Sequence, residues 1–250
     1  MPDIPVSRLP RRSAAGGLPL QVAQEIARRI LAGHYPPGET IPVECALAEE
    51  FGVSRSVLRE AVKLLSAKGL LLTRPKLGTF VRPVAEWSHL DPDLLAWRAE
   101  LGVEEDFEQH LAEVRLLFES EAAALAAERA TPEQRQSILK ALEAMEEASD
   151  LESQVTSDLH FHRCVLEATG NPLLLALGGA VSGALAQSFA ASSHMNHIWK
   201  EALKRHRRLA EAIAAGDRTE ARLAMLDIII RHAKEAVAAV ASPREGGKAR

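Results

Sequence analysis

Cysteine is almost missing from this chain. Its 250 residues hold two, Cys45 and Cys164, far apart and in no CxxC spacing. That excludes a disulfide framework and a zinc ribbon, and it suits a chain kept in a reducing cytoplasm. Aromatic residues are scarce as well, at 4%, and the abundance of Ala and Leu in their place favours helices over sheets. Long apolar runs are lacking too. The longest nearly apolar stretch, LLLALGGAVSGALA from Leu173, has 14 residues. That is short of the ~20 needed to span a membrane and fits a buried helix, so no membrane partner is expected. The opening MPDIPVSRLPRRSAAGG lacks the apolar core of a signal peptide.

What is present suffices for a real core. The apolar fraction is 47% and the charged fraction 26%, and the length suits one large domain or two ordinary ones. The net charge of −4 is unevenly spread: Met1 to Ala85 carries +5 and the remainder −9. A basic front and an acidic back point to a front that meets a polyanion.

Residues 1–17, rich in Pro, Arg, Ser and Gly, read as a disordered N-terminus. Leu18, Val22, Ile26 and Ile30 then form a period-four apolar face, the mark of a helix. YPPGETIP breaks it, VECALAEEF makes a short helix, and Gly52 a turn. Ser54 can cap a third helix through RSVLREAVKLLSAKG. LLLTR, PKLG and TFVRP read as strand, turn, strand. Residues 18–83 are thus a small helical domain with a two-stranded wing, and 84–102 are a linker. From 103 to 241 the chain is expected to be all helix, six or seven helices long, with Thr131 capping one and Pro132 at its first position. Residues 242–250 are a loose tail. The fold class is mainly α, a winged helix-turn-helix followed by an all-α bundle.

Two sets of residues carry chemistry. The second and third helices, joined by the tight EFGVSR turn, have the spacing of a helix-turn-helix. On the second of them Leu58, Ala61, Val62 and Leu65 form an inward face, and Arg55, Ser56, Arg59 and Lys63 an outward basic one. A guanidinium can pair with guanine edges or clamp a phosphate, so this is the candidate DNA reader. The hairpin, tipped by Lys76 and Gly78, would reach the adjacent backbone or minor groove. An ordinary solvated basic helix would show the same pattern.

The other set lies in SDLHFHRCVLEATGN. Asp158 and His162, four apart, share a helix face with Leu151, Val155, Leu159, Val165, Leu166 and Thr169. His206 shares a face with Trp199, Leu203, Leu209 and Ile213, and His232 one with Met225, Ile229, Ala233, Ala236 and Val240. A single inward histidine is usually a satisfied core residue. Three, with a carboxylate, on three helices of one bundle point to a divalent metal, and imidazole with carboxylate suits Zn²⁺, Ni²⁺ or Mn²⁺. His160 points off this face, and His34, His89, His110, His194 and His197 have no partner pattern.

The stretch IPVECALAEEFGVSRSVLREAVKLLSAKGLLLTRPKLGTFV closely resembles the winged helix-turn-helix of GntR-type bacterial transcription regulators, through Pro42, Glu44, Leu47, Ala48, Phe51, Gly52, Val53, Ser54, Arg55, Arg59, Glu60, Leu65, Gly69, Leu70, Gly78, Phe80 and Val81. The resemblance implies DNA contacts at Arg55, Ser56, Arg59 and the wing from Lys76 to Thr79. Cys45 stands where the family usually has a DNA-touching Arg, and Val43 replaces the usual small capping residue. Asp158, His162, His206 and His232 match the metal ligands of the family's FadR-type branch, whose ligand domain binds a small organic acid by its carboxylate at the metal. Arg115 matches a position that often faces that pocket; an ordinary surface ion pair with Glu119 is the competing reading. The junction EWSHLDPDLLAWR resembles that of sugar-acid regulators, the galactonate-operon repressors in particular; others of the branch answer to lactate, pyruvate, glycolate or amino acids.

The expectation is therefore a regulator, not an enzyme: a homodimeric repressor on double-stranded operator DNA, released by a sugar acid such as galactonate or gluconate bound at the metal. A purely structural metal with a different effector is the alternative. A metal-dependent hydrolase or lyase fused to a DNA-binding module is a further one, disfavoured because no extra base or nucleophile accompanies the ligands.

Overall fold

A computed structural model describes residues 17–101, 106–191 and 195–241, with side chains at 187–191, 195–198 and 236–241 left aside. Expectations about residues 1–16, Gly102, His194, the tail and the side chains of His197, Ala236 and Val240 lie outside the described residues. The chain divides into two compact units, Met1–Val103 and Glu104–Arg250.

The first unit holds α1 (Gly17–Leu31), α2 (Glu44–Phe51), α3 (Arg55–Ala67), β1 (Leu71–Arg74), β2 (Gly78–Val81) and α4 (Pro92–Leu101). On α1 the buried residues are Val22, Ala23, Ile26, Ala27 and Ile30, while Leu18 is 41% exposed. An i+4 stripe drifts by ~40° per step around a 3.6-residue helix, so the core takes Ala23 and Ala27 in place of Leu18. α2 ends on Gly52 in the left-handed region, at φ 65°, a conformation that costs glycine little. That reversal places α3 behind it. Ser54 caps α3 by accepting the Val57 N–H, while Val43 offers α2 no side-chain cap. β1 and β2 pair antiparallel, Leu71 opposite Val81. Residues 38–41, read as a simple helix break, also line β2: Ile41 donates to the Thr79 carbonyl at 2.9 Å and Val81 to the Glu39 carbonyl at 2.9 Å.

The expected linker is structured. Residues 84–86 make a 3-10 turn and α4 follows, with Leu94 and Trp97 buried in the first unit's core. A latch holds the segment to the end of α3. Lys68 donates to both Asp91 oxygens at 2.8 and 2.9 Å and to Asp93 at 2.6 Å, and it lies 5.5 Å from the centre of the Trp97 ring. Burial opposes the charge on Lys68, and the two carboxylates more than offset it, raising its pKa. Gly69, at φ 77°, lets the strap pass, because a Cβ there would lie 2.5 Å from the Glu86 carbonyl oxygen.

Among the described residues the second unit is six helices: α5 (Phe107–Arg129), α6 (Pro132–Glu147), α7 (Leu151–Ala168), α8 (Pro172–Ala191), α9 (Met195–Ala215) and α10 (Arg218–Ala241). No strand occurs there among the described residues. Thr131 and Gln134 close a capping box on α6, with Pro132 inside its first turn, and Asp150 and Ser153 close another on α7. Phe161, Val165, Leu209, Ile213, Met225 and Ile229 are central to its core. Leu151, expected inward, is 39% exposed. It is the first residue of α7, and the buried face begins a turn later, at Gln154.

Candidate functional sites

The outward face of α3 is solvent-facing as expected, with Arg55, Ser56, Arg59 and Lys63 all exposed above the buried Leu58, Ala61, Val62 and Leu65. The charges are only lightly engaged. Arg59 Nε pairs with Glu44 Oε2 at 2.9 Å and Lys63 with Glu60 at 2.8 Å, both on open surface. Arg55 has no partner among the described residues. Ser56 shares a 2.9 Å hydroxyl contact with Ser54. In the wing turn Lys76 adopts φ 63° and Gly78 φ 111°. Thr79, at the base of β2, meets Thr73 across the strands at 3.0 Å. Exposed pairs of this kind contribute ~0–1 kcal/mol, so a phosphate can replace their carboxylates at little cost. Cys45 is exposed beside this surface.

The second site is buried. α7 supplies Asp158 and His162, and α9 supplies His206; they are 3%, 7% and 2% exposed. One ligand atom from each lies within 4.8 Å of the others. His206 Nε2 is 3.2 Å from Asp158 Oδ1 and 3.4 Å from His162 Nε2, and His162 Nε2 is 3.9 Å from Asp158 Oδ2. The far nitrogen of His206, Nδ1, is 2.8 Å from the Ala202 carbonyl. A carbonyl only accepts, so Nδ1 donates there, and Nε2 is the nitrogen turned toward Asp158 and His162. It can donate to the Asp158 carboxylate when the ring is protonated, or offer a lone pair when the ring is neutral. Three such ligand atoms converging in a buried place could hold a metal ion. Phe161, fully buried, sets its ring edge-on to both imidazoles, at centroid distances of 6.0 and 5.1 Å, and walls the cluster with apolar surface.

His232 is not among the three whose ligand atoms lie within 4.8 Å of one another. It is half-buried on α10 and close enough to couple with Asp158, His162, Arg115 and Glu119. Desolvation, reinforced by Arg115, lowers its pKa to about 3, so its imidazole is neutral and free of a competing proton at pH 7. For Asp158, burial favours the neutral acid, but a hydrogen bond from His206, aided by the field of His162, outweighs it and holds the carboxyl well below the usual carboxylate range.

Arg115 and Glu119 do form the i, i+4 pair, but not on the surface: their side chains are 3% and 4% exposed. Arg115 Nε donates to Glu119 Oε1 at 2.6 Å and Nη2 to Oε2 at 3.3 Å. Glu119 Oε2 also approaches His162 Nδ1 to 2.9 Å, off the line of a well-formed hydrogen bond. Burial raises the pKa of Glu119, and Arg115 and His162 pull it down to about 2. Glu119 is the residue that sequence reasoning missed as part of the site. Its signal was the buried stripe of α5, Leu111, Arg115, Phe118 and Ala122, on which a charged pair is too costly to be incidental.

Comparison with known proteins finds a match for each of the two units. Residues 18–81 match the model of bacterial regulatory proteins of the gntR family, and residues 110–231 match the FCD domain. The chain is 39% identical over 168 residues to the Escherichia coli HTH-type transcriptional regulator YieP, covering 65% of this chain and 72% of the relative. It is 34% identical over 206 residues to the Escherichia coli galactonate operon transcriptional repressor, covering 82% and 90%. The solved structure of Lar, a protein that controls the Listeria monocytogenes agr system, overlays with a TM-score of 0.66 at 22% identity, covering 90% of this chain and 98% of that one; it speaks to the fold alone. No helix among the described residues is long and apolar enough to cross a membrane. With a winged helix-turn-helix and a helical domain that both match, and relatives that are regulators rather than enzymes, the chain belongs to the GntR family of bacterial transcription regulators and carries an FCD domain.

Proposed function

We propose that the protein is a cytoplasmic, homodimeric transcription repressor that leaves its operator when a small carboxylate, a sugar acid of the galactonate or gluconate type, binds at a divalent cation in the bundle. The observation that carries this reading is the convergence of His206 Nε2, His162 Nε2 and the Asp158 carboxylate, with His206 Nδ1 committed to a carbonyl so that Nε2 is the nitrogen left for a cation. Asp158, His162 and His206 would hold Zn²⁺, Ni²⁺ or Mn²⁺, with the neutral His232 a further donor from α10. A cation bound there supplies a positive charge with coordination positions for a carboxylate. Glu119 keeps Arg115 at the edge of the cluster, where the guanidinium can attract the same anion.

On the DNA, Arg55, Ser56, Arg59 and Lys63 would enter the major groove, with Lys76, Gly78 and Thr79 of the wing against the adjacent backbone. A dimer would present two such faces to a palindromic operator. The effector can act only through unequal affinity for the bound and released states, and a modest response needs about 1–3 kcal/mol. Fluorescence anisotropy on operator DNA tests the scheme. Galactonate should release the wild type and leave His206→Ala bound, with unchanged operator affinity before addition. Release of His206→Ala at the wild-type concentration would refute the metal route.

A further inference from the structure

Outside the cluster, Gln154 and Trp199 each hold a buried polar atom without a partner among the described residues. Gln154 on α7 is 3% exposed and Trp199 on α9 is 6% exposed. Gln154 Oε1 and Trp199 Nε1 are both sealed from solvent, and neither makes a hydrogen bond. Native interiors rarely leave such atoms unmet, and here an acceptor and a donor are left together. Both residues line one cleft, walled also by Glu146 and Ser149 from the α6–α7 end and by Lys200 on α9. The cleft lies toward the N-terminal ends of α7 and α9 from the site already described. Gln154 precedes Asp158 by one helical turn on the same face of α7, and Trp199 precedes His206 by two turns on α9.

The chemistry of the pair is selective. An amide oxygen needs a donor and an indole N–H needs an acceptor. A hydroxyl group is both at once, whereas a carboxylate only accepts and a methyl group does neither. Reach adds a second filter. With carbon–carbon bonds of about 1.5 Å and a helical turn of about 5.4 Å, a three-carbon acid anchored at the cluster by its carboxylate falls short of Gln154, and a six-carbon chain reaches it.

Building on the effector reading above, we infer that Gln154 and Trp199 form the hydroxyl-recognising end of the effector site and select polyhydroxy acids over short hydroxy acids. The cluster anchors the carboxylate, and this pair measures the far end of the chain.

Calorimetric titration of the full chain with D-galactonate, D-gluconate and L-lactate tests this, using wild type, Gln154→Met and Trp199→Phe. Gln154→Met keeps the side-chain bulk and removes a polar atom that has no partner, so the melting temperature of the free protein should hold or rise; Trp199→Phe also takes a ring out of the core, so it is read by its selectivity between acids and not by its stability. The affinity for a sugar acid should fall about tenfold in each variant, the value of one hydrogen bond, and any lactate affinity should stay within about twofold. Unchanged sugar-acid affinity in both variants would mean that solvent rather than the effector meets these atoms, and would overturn the inference. Equal losses for lactate and sugar acids would overturn it too, since the residues would then act through the shared anchor. If no acid binds the wild type, the effector reading fails as well, an outcome separate from the other two.

Discussion

The two units treat charge in opposite ways. In the first, the cations of α3 stand in solvent, held by nothing stronger than the Arg59–Glu44 and Lys63–Glu60 surface pairs. In the second, Arg115, Glu119, Asp158, His162 and His206 are all nearly sealed and committed to one another. The difference follows from what each must meet. DNA arrives as a large surface bringing its own charge, so the protein need only present cations that exchange partners easily. A small anion has to be drawn into the interior, where an unpaired charge is expensive and every ligand atom must be fixed beforehand. The first unit is built to exchange partners and the second to hold them.

The contrast should be sharpest at Glu119. Glu119→Ala leaves the Arg115 guanidinium buried without its hydrogen-bonded carboxylate, and unfolding by urea should show a loss of about 3–5 kcal/mol in the bundle. A loss under about 1 kcal/mol, the range of exposed pairs, would erase the distinction between the units.

Acid should weaken the same region in two stages. His232 is held down to about 3, so below the unfolded value of about 6.5 the unfolded chain binds a proton that the folded one refuses, and stability declines as pH falls toward 3. Glu119 is held down to about 2; its contribution is complete above the unfolded value of about 4.3 and is lost as pH falls through 2. Circular dichroism from pH 7 to 2 should show stability falling first near pH 6; a profile flat down to pH 4 would contradict the assignment for His232.

Lys68 is the exception that tests the rule within the first unit, being its buried cation and the tie between α3 and α4. Lys68→Met strips Asp91 and Asp93 of their shared donor and should cost about 1–3 kcal/mol of that unit's stability, read as a lower urea midpoint. Smallest in stability is Arg59→Ala. Its ion pair is exposed, so the fold should change by less than about 0.5 kcal/mol, while operator affinity falls by about 1–3 kcal/mol. Operator affinity left intact would remove α3 from the groove.

What could be read from the sequence divides along the same line. Periodicity located the helices and the wing, and the inward face of α3 emerged residue for residue, because local rules and one packed face suffice there. The strap at 84–101 read as a linker because its hold on the domain comes from Lys68, a long-range partner that no local pattern shows. Asp158, His162 and His206 were visible as polar residues on apolar helix faces. His232 was visible by the same rule; it lies near enough to act on Asp158 and His162 electrostatically, although it is not among the three residues whose ligand atoms fall within 4.8 Å of one another. Glu119 was seen only as a partner for Arg115, since the i, i+4 rule says who pairs and not whether the pair faces water.

The most direct test of the account is the metal content of the purified protein, measured by inductively coupled plasma mass spectrometry beside His206→Ala. The account predicts about one divalent transition metal per wild-type chain and almost none in the variant, with both proteins equally folded. Equal metal in the two, or none in a wild type offered Zn²⁺, Ni²⁺ and Mn²⁺, would show that the buried convergence of Asp158, His162 and His206 serves something other than a cation.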